Sequence, residues 1–237
     1  MSNFVFLGVP TYDGNIHMGA IKALLTAQTK TKFCFNTLQT SLLAHCFNAL
    51  WCAALNGRKE GITHFLLMHA DIAPQDAFID TMMTVMATHR ADVVSAVVPM
   101  KSTKGLTSTA LEEDGRIRRL TMKEIFERPK SFTEPNLLLN TGLMLVDLRK
   151  PWVEKAYFTI QDNVVFRDGQ FQTEVLSEDW AFSRLARQLG AQKLVATREV
   201  VIDHYGSAAY PNAVVWGSLE TDEGFELSLL NQGGQDG

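Results

Sequence analysis

The stretch from Phe65 to Asp76 reads FLLMHADIAPQD, and it decides how the rest of the sequence is interpreted. Its four leading apolar residues are typical of a buried strand. The strand ends in His69 and Asp71, two side chains that are costly to remove from water. They therefore lie either at an ordinary solvated strand end or at a site where a ligand binds.

The segments on both sides of this stretch alternate between strand-like and helix-like patterns. Apolar runs predict strands at 3–9, 32–38, 63–68 and 92–98. Helical spacing predicts helices at 17–29, 40–55 and 74–89. This alternation is typical of an α/β fold, in which a mostly parallel sheet is sandwiched by helices. Ligands in such sheets gather at the carboxyl ends of the strands, where His69 would lie.

The helix boundaries and the second half of the chain rest on shorter signals. Pro74 is expected to open a helix with Asp76 in its first turn, and Ser177 is expected to cap a helix over 177–189. Residues 107–120 predict a hairpin that turns at Asp114-Gly115. Two further strand-like segments are 137–148 and 193–202.

The composition is that of an ordinary globular protein, with 46% hydrophobic and 20% charged residues. The net charge of −4 argues against a strongly basic nucleic-acid surface, although a local basic patch stays open. Cys34, Cys46 and Cys52 match no zinc spacing and are expected to be reduced core residues. The N-terminus has no basic leader and no apolar run approaches the roughly 20 residues of a membrane span. We therefore expect a cytoplasmic protein.

A metal site is the functional interpretation of this strand end. His69 and Asp71 can turn toward a common point, and a carboxylate with an imidazole suits manganese better than calcium. His204 follows another strand-like run and could converge on the same edge. Such an ion would keep open positions for phosphate oxygens and water. The alternative is that Asp71 caps the next helix and His204 is hydrogen-bonded at a strand terminus.

Other polar residues also allow two interpretations. Glu178-Asp179 either compensates a helix dipole or supplies a general base to an acceptor hydroxyl. Asn140-Thr141-Gly142 interrupts an apolar run, either as a bulge or to let a ligand approach the backbone. Tyr12-Asp13 could hold a nucleobase or form an ordinary turn. Asn48, inside an apolar helix, indicates a polar contact or a cap on a neighbouring loop.

The order of these pieces resembles the GT-A glycosyltransferases, above all glycosyltransferase family 2 and its phage and bacterial members. The resemblance runs from Val5 to Tyr205. The motifs that carry it are PTYDG at 10–14, Asn48, His69-Ala70-Asp71 after a strand, NTGLMLVDL at 140–148, SEDWAF at 177–182 and Asp203-His204.

The resemblance implies a transferase that moves a hexosyl or pentosyl group from a nucleotide-diphosphate sugar to an acceptor hydroxyl, with Mn²⁺ or Mg²⁺ bound. The metal ligands that it implies are Asp71, His204 and His69. The nucleotide-binding residues would be Pro10, Thr11, Tyr12, Asp13, Asn48 and Ala70. The catalytic residues would be Asp179 and Glu178, and the sugar and acceptor would lie against Asn140, Thr141 and Gly142.

The chain departs from the family pattern in two places. His69 stands where the family has an aspartate, and Phe47 stands beside Asn48 where an arginine is often found. An NTG segment also occurs in retaining enzymes, whereas an ED pair is typical of inverting ones, so the stereochemistry stays open.

The expected organisation is one GT-A-like domain over 1–230, with a nucleotide-binding half at 1–100, an acceptor half with a smaller β segment at 101–230, and a disordered tail at 231–237. The acceptor would be a glycan, a small glycoside or, in the host cytoplasm if the chain is phage-encoded, a modified DNA base. One alternative is a sugar-phosphate nucleotidyltransferase, although the loop at 10–19 has no Arg or Lys before Lys22. The other is a non-catalytic nucleotide-binding module.

Overall fold

The computed structural model describes residues 3–167, 169–206, 208–222 and 226–227, so the expected tail at 231–237 lies outside the described residues. The helices are α1 (Met18–Leu25), α2 (Leu43–Asn56), α3 (Phe78–His89), α4 (Met122–Glu127) and α5 (Glu178–Gln188), with 3-10 turns at Gly57–Glu60 and Pro151–Lys155. The strands are β1 (Phe4–Thr11), β2 (Lys32–Gln39), β3 (His64–Met68), β4 (Ile72–Pro74), β5 (Val93–Ala96), β6 (Leu106–Glu113), β7 (Arg116–Thr121), β8 (Ser131–Phe132), β9 (Leu137–Leu138), β10 (Leu143–Asp147), β11 (Gln161–Arg167), β12 (Gln170–Leu176), β13 (Leu194–Thr197), β14 (Ile202–Tyr205), β15 (Ala209–Pro211) and β16 (Glu226–Leu227).

The central sheet has the strand order β2-β1-β3-β10-β5-β13-β8. β1 runs parallel to β2 and β3, and β13 runs parallel to β5. β10 lies antiparallel between β3 and β5, and β8 is an antiparallel edge strand. This confirms the predicted mostly parallel α/β sheet with flanking helices.

The apolar run of β3 is continuous because helices cover both faces of the sheet. Successive side chains of a strand point to opposite faces. Phe65 and Leu67 pack into one buried cluster with Trp51 of α2, whereas Leu66 and Met68 pack into another with residues of α3. A strand buried on both sides has no polar face, which is why its sequence does not alternate.

The predicted hairpin forms between β6 and β7, and it belongs to a smaller four-stranded sheet with the order β16-β7-β6-β9. Asp114 and Gly115 both have positive φ, 48° and 75°. Two positive φ values in a two-residue loop match the twist of the flanking strands, and Asp-Gly is among the pairs that adopt them most readily.

The helix predicted over 74–89 forms, but the prediction that it begins at Pro74 was wrong. Pro74 is the last residue of β4, and α3 begins only at Phe78, so Asp76 precedes the helix instead of lying in its first turn. Proline suits the first turn of a helix and also the edge of a sheet, so the signal was ambiguous. β4 pairs antiparallel with β14, with His204 opposite Ile72.

Two local expectations hold only in part. Ser177 occupies the N-cap position of α5, but its side chain makes no capping hydrogen bond to any described residue. The three cysteines are free thiols, and Cys46 is buried, whereas Cys34 is half-buried and Cys52 is exposed. The core position expected for Cys52 was therefore wrong.

His64 gives the fold a pH dependence. Its ring is fully buried, with Nδ1 2.8 Å from Thr63 Oγ1 and Nε2 3.3 Å from Arg149 Nη2. Burial lowers the pKa of His64 to about 4. The unfolded chain, with a histidine pKa of about 6.5, binds more protons than the folded chain between these two values, so stability present above pH 6.5 is lost as the pH falls toward 4.

We expect the titration of His64 to lower the free energy of unfolding by about 2 kcal/mol between pH 7 and pH 4.5. Urea unfolding at the two pH values measures the loss, and His64→Gln should reduce it. An equal loss in the wild type and in His64→Gln would assign the acid sensitivity to other groups.

Candidate active site

A cleft of about 420 Å³ lies at the carboxyl ends of β1 and β3. The residues that line it are Pro10, Thr11, Tyr12, Asp13, Asn15, Ile16, His17, Leu43, His69, Ala70 and Asp71. The structure thus brings together five of the six residues expected to bind a nucleotide and two of the three expected metal ligands.

His17 joins three segments around this cleft. Its backbone N–H donates to the Ala70 carbonyl oxygen at 2.8 Å, and its Nδ1 accepts from the Gly19 N–H at 3.1 Å, which caps α1. Its ring stacks on Tyr205 of β14, with 4.0 Å between ring centroids. A Cβ on Gly19 would lie 2.5 Å from the Tyr205 ring, so the close approach requires glycine there. The sequence did not single out His17, because a histidine at a helix start is an unspecific signal.

Asp71 and His204 meet because β4 pairs with β14. The Asp71 Oδ1 atom lies 3.7 Å from His204 Nε2. His204 Nδ1 lies 2.7 Å from the Pro99 carbonyl oxygen. A carbonyl oxygen only accepts, so Nδ1 carries a hydrogen and Nε2 is the ring nitrogen that faces Asp71.

Lys101 is the third member of this group, and it was not expected from the sequence. Its ammonium forms an ion pair with Asp71 Oδ2. Its side chain passes close to Gly206, where a Cβ would lie 2.9 Å from Lys101 Cδ. Burial alone would raise the pKa of Asp71, but His204 and Lys101 hold that pKa well below its ordinary value. Asp71 is therefore ionised.

The donor set fits a divalent cation between Asp71 and His204. Two ligand bonds of about 2.1 Å to one ion place their donor atoms up to about 4.2 Å apart, and the observed separation of 3.7 Å lies within this range. In the described part of the chain no group of three or more His, Cys, Asp or Glu side chains could hold a metal ion. The remaining ligands would thus come from phosphate and water.

His69, the other expected ligand, contacts the neighbouring side of the site. Its Nε2 lies 3.0 Å from Thr141 Oγ1, and its ring lies against Phe47 with 5.3 Å between centroids. Burial lowers the pKa of His69 to about 4, so the ring is neutral near pH 7. His69 therefore connects the strand end to Thr141.

Thr141 connects this strand end to α5. Its backbone N–H donates to Asp179 Oδ1 at 3.2 Å, and its hydroxyl donates to the same oxygen. Burial and the neighbouring Glu178 charge raise the pKa of Asp179 to about 7. Burial also raises the pKa of Glu178. A carboxyl with a pKa near the working pH has the property that a general base needs.

Asn140 and Gly142 form the wall behind Thr141. Asn140 is buried, with Nδ2 donating to the Ala96 carbonyl at 2.8 Å and Oδ1 accepting from the Gly142 N–H at 3.0 Å. A Cβ on Gly142 would lie 2.9 Å from Val98 Cγ2. The Gly142 carbonyl also accepts from the His69 backbone N–H at 2.9 Å, whereas Thr141 is the member of the NTG segment that contacts Asp179.

Asn48 lies apart from the cleft lining. Its Nδ2 donates to the Phe158 carbonyl at 2.7 Å, and its Oδ1 accepts from the Phe158 N–H at 2.7 Å. Both ends of the amide hold the backbone that precedes β11. This is the contact with a neighbouring loop that the sequence allowed as the alternative to nucleotide binding.

Comparison with known proteins adds a likeness of fold. No family model matches the chain, and no curated protein matches it. A197 from STIV superimposes with a TM-score of 0.57 at 10% identity, over 95% of this chain and 94% of that one. Because the identity is so low, this likeness shows the fold alone.

Two other solved structures are more distant. S. aureus TarS 1-349 matches with a TM-score of 0.43 at 12% identity, over 82% of this chain and 57% of that chain. UDP-glucose pyrophosphorylase complexed with UDP-glucose matches with a TM-score of 0.39 at 9% identity, over 83% of this chain and 90% of that chain. Neither likeness carries an argument about the activity of this chain. Membership of glycosyltransferase family 2 and a phage origin stay predictions. Among the described residues, no helix is long and apolar enough to cross a bilayer.

Proposed function

We propose that the protein transfers a hexosyl or pentosyl group from a nucleotide-diphosphate sugar to an acceptor hydroxyl, with Mn²⁺ or Mg²⁺ held by Asp71 and His204. The observation that carries this proposal is the 3.7 Å approach of these two side chains at the end of the cleft formed by the first loop. A glycan, a small glycoside or a modified DNA base would be the acceptor, and the cytoplasm the compartment.

The first loop suits a nucleoside. Tyr12 is 68% exposed and can stack on a base, while Leu43 supplies an apolar wall to the same cleft. The Asp13 carboxylate accepts from the Asn15 backbone N–H at 3.0 Å and from Asn15 Nδ2 at 2.7 Å. These bonds hold Asp13 in place to accept from ribose hydroxyls. Ala70 completes the proposed set, and its carbonyl accepts from the His17 backbone N–H, whereas both ends of the Asn48 amide bond to Phe158.

The Asp71 end of the cleft suits a diphosphate. A bound divalent cation would neutralise charge on the leaving diphosphate. Lys101 carries three N–H donors and uses one on Asp71, so its ammonium can also donate to phosphate oxygens. His204 keeps Nε2 available because Pro99 holds the hydrogen on Nδ1.

The acceptor side is built around Asp179. Its Oδ1 is held by Thr141, and its Oδ2 makes no hydrogen bond to any described residue. Asp179 would take the proton from the acceptor hydroxyl as that oxygen bonds to the sugar C1 and the bond from C1 to the diphosphate oxygen breaks. Glu178 would bind the acceptor beside it, and Asn140 and Gly142 would shape the wall behind Thr141. This route inverts the configuration at C1.

The nucleotidyltransferase alternative receives no support from the cleft lining. Of the described residues, the eleven that line the cleft include neither Lys nor Arg. Lys22, the first basic residue after β1, lines a separate cavity with Thr26 and Asp203.

The test is a panel of nucleotide sugars incubated with Mn²⁺. We expect one donor to release its nucleoside diphosphate, with the rate lost on chelation. Formation of a nucleoside triphosphate when pyrophosphate is added would instead identify a nucleotidyltransferase. Tight binding of a donor with no turnover would identify a non-catalytic module. Either of the last two results contradicts the proposed transfer.

A further inference from the structure

Three side chains form a continuous hydrogen-bonded chain from the end of β3 to the start of α5. His69 Nε2 lies 3.0 Å from Thr141 Oγ1, and the Thr141 hydroxyl bonds to Asp179 Oδ1. The Thr141 backbone N–H also donates to that oxygen at 3.2 Å. Thr141 is fully buried, so water does not compete for its hydroxyl. These hydrogen bonds thus link the donor side of the site to the acceptor side.

The donor of each hydrogen bond between His69, Thr141 and Asp179 can be assigned by counting hydrogens. An ionised carboxylate only accepts, so Asp179 Oδ1 takes the single hydroxyl hydrogen of Thr141. The Thr141 oxygen must then accept from His69, which requires the hydrogen of the neutral ring to be on Nε2. His69 Nδ1 is consequently the ring nitrogen that keeps a lone pair.

We infer that Thr141 is a positioning residue for Asp179 and that His69 fixes the direction of the Thr141 hydroxyl. This inference rests on the proposed function, because it concerns the base of that reaction. With two donors on Oδ1, the carboxylate is held in one orientation, and Oδ2 is left to take the acceptor proton. The Thr141 and His69 protons stay where they are throughout.

The same hydrogen bonds explain why a histidine, His69, stands where the related family has an aspartate. An ionised aspartate there could only accept, so it could not donate to Thr141 Oγ1. A neutral imidazole donates without adding a charge near the Asp179 carboxylate. His69 therefore serves Asp179 through Thr141, which is a different role from metal coordination through Nε2.

Several groups shift the pKa of Asp179, some upward and others downward. Burial and the Glu178 charge oppose its ionisation, whereas the two Thr141 donors and Arg119 of β7 favour it. Hydrogen bonds to a carboxylate favour its ionised form, so removing the Thr141 hydroxyl should raise the pKa of Asp179 by about one unit or more.

The test is an NMR titration of the Asp179 side-chain carboxyl carbon, assigned by its loss in Asp179→Asn. We expect Thr141→Ala to move the midpoint upward by about one unit or more, and Thr141→Ser, which keeps a hydroxyl, to restore the wild-type value. An unchanged midpoint in folded Thr141→Ala would overturn the inference. If Thr141→Ala does not fold, Thr141→Val gives the same comparison.

A second measurement needs no variant. At a pH well above 7, where Asp179 is ionised, the ¹⁵N chemical shifts of His69 in metal-free protein should identify the tautomer with the hydrogen on Nε2, and the opposite tautomer would overturn the assignment of donors. Neither measurement requires turnover, so both distinguish failure of this inference from failure of the proposed function. If transfer is observed, the acid limb of kcat should move upward in Thr141→Ala with KM unchanged.

Discussion

Asp179→Asn should lower kcat for sugar transfer by about 10²–10⁴-fold, which is the usual contribution of a positioned general base. The substituted amide keeps the size of the side chain and can still accept from Thr141, but it cannot take a proton. Binding of the nucleotide should be unchanged, since Asp179 lies outside the cleft lining. Steady-state kinetics with the identified donor, together with calorimetry of nucleoside diphosphate binding, measure the two quantities.

Glu178→Gln is the matched control for this prediction. Because the Glu178 charge raises the pKa of Asp179, its removal should lower that pKa and extend activity to more acidic pH. In the wild type, activity should rise with pH through about 7, as Asp179 loses its proton. If Glu178→Gln abolishes transfer and Asp179→Asn does not, the base is Glu178 and the assignment of roles is reversed.

Asp71→Asn should lower the rate of transfer by about 10³-fold or more, because the stabilisation of a leaving group by a cation is worth several kcal/mol. The variant removes the carboxylate that both His204 and Lys101 face. Its effect on folding should be small, since the ion pair with Lys101 is partly solvated. Rates at saturating Mn²⁺ and thermal unfolding separate the two effects.

The control for Asp71→Asn is Asp76→Asn, on the same segment but in the lining of a different cavity. Asp76→Asn should transfer sugar at the wild-type rate. Equal rates for the wild type and Asp71→Asn, with chelation having no effect, would contradict a cation at this position.

Much of the central sheet could be predicted because burial on both faces leaves a plain sequence signal. The runs that became β1, β3 and β5 are mostly apolar, and the Asp-Gly pair located the turn between β6 and β7. Short strands were missed for the opposite reason. β4 has three residues and ends in proline, so its identity depends on its pairing with β14, which sequence spacing does not encode.

The β11–β12 hairpin was also missed, although Asp168-Gly169 is a recognised turn signal. One face of this hairpin exposes Val164, Phe166 and Phe171 to solvent. The apolar residues of a strand predict burial only when they lie on the face that packs against the core, and here they lie on the solvent face. The sequence pattern therefore looked irregular.

Within the candidate site, the sequence located polar residues that closely follow strands, but it did not locate Lys101 and His17. Asp71 and His204 were expected to meet, and they lie 3.7 Å apart, while their role as ligands stays a prediction. Lys101 and His17 were not singled out, because their contacts depend on the path of loops. For Asn48 the polar character was visible, but its partner is the backbone of Phe158, which no side-chain pattern reveals.

Electron spin-echo spectroscopy of Mn²⁺ bound together with a nucleoside diphosphate can show whether Asp71 and His204 share one cation. Coupling to a coordinated imidazole nitrogen should be present in the wild type and in His89→Ala, whose histidine ends α3 and lines another cavity. The coupling should disappear in His204→Phe, and Asp71→Asn should not retain the ion. The same nitrogen coupling in His204→Phe, or no Mn²⁺ bound by the wild type, would contradict a cation held by Asp71 and His204.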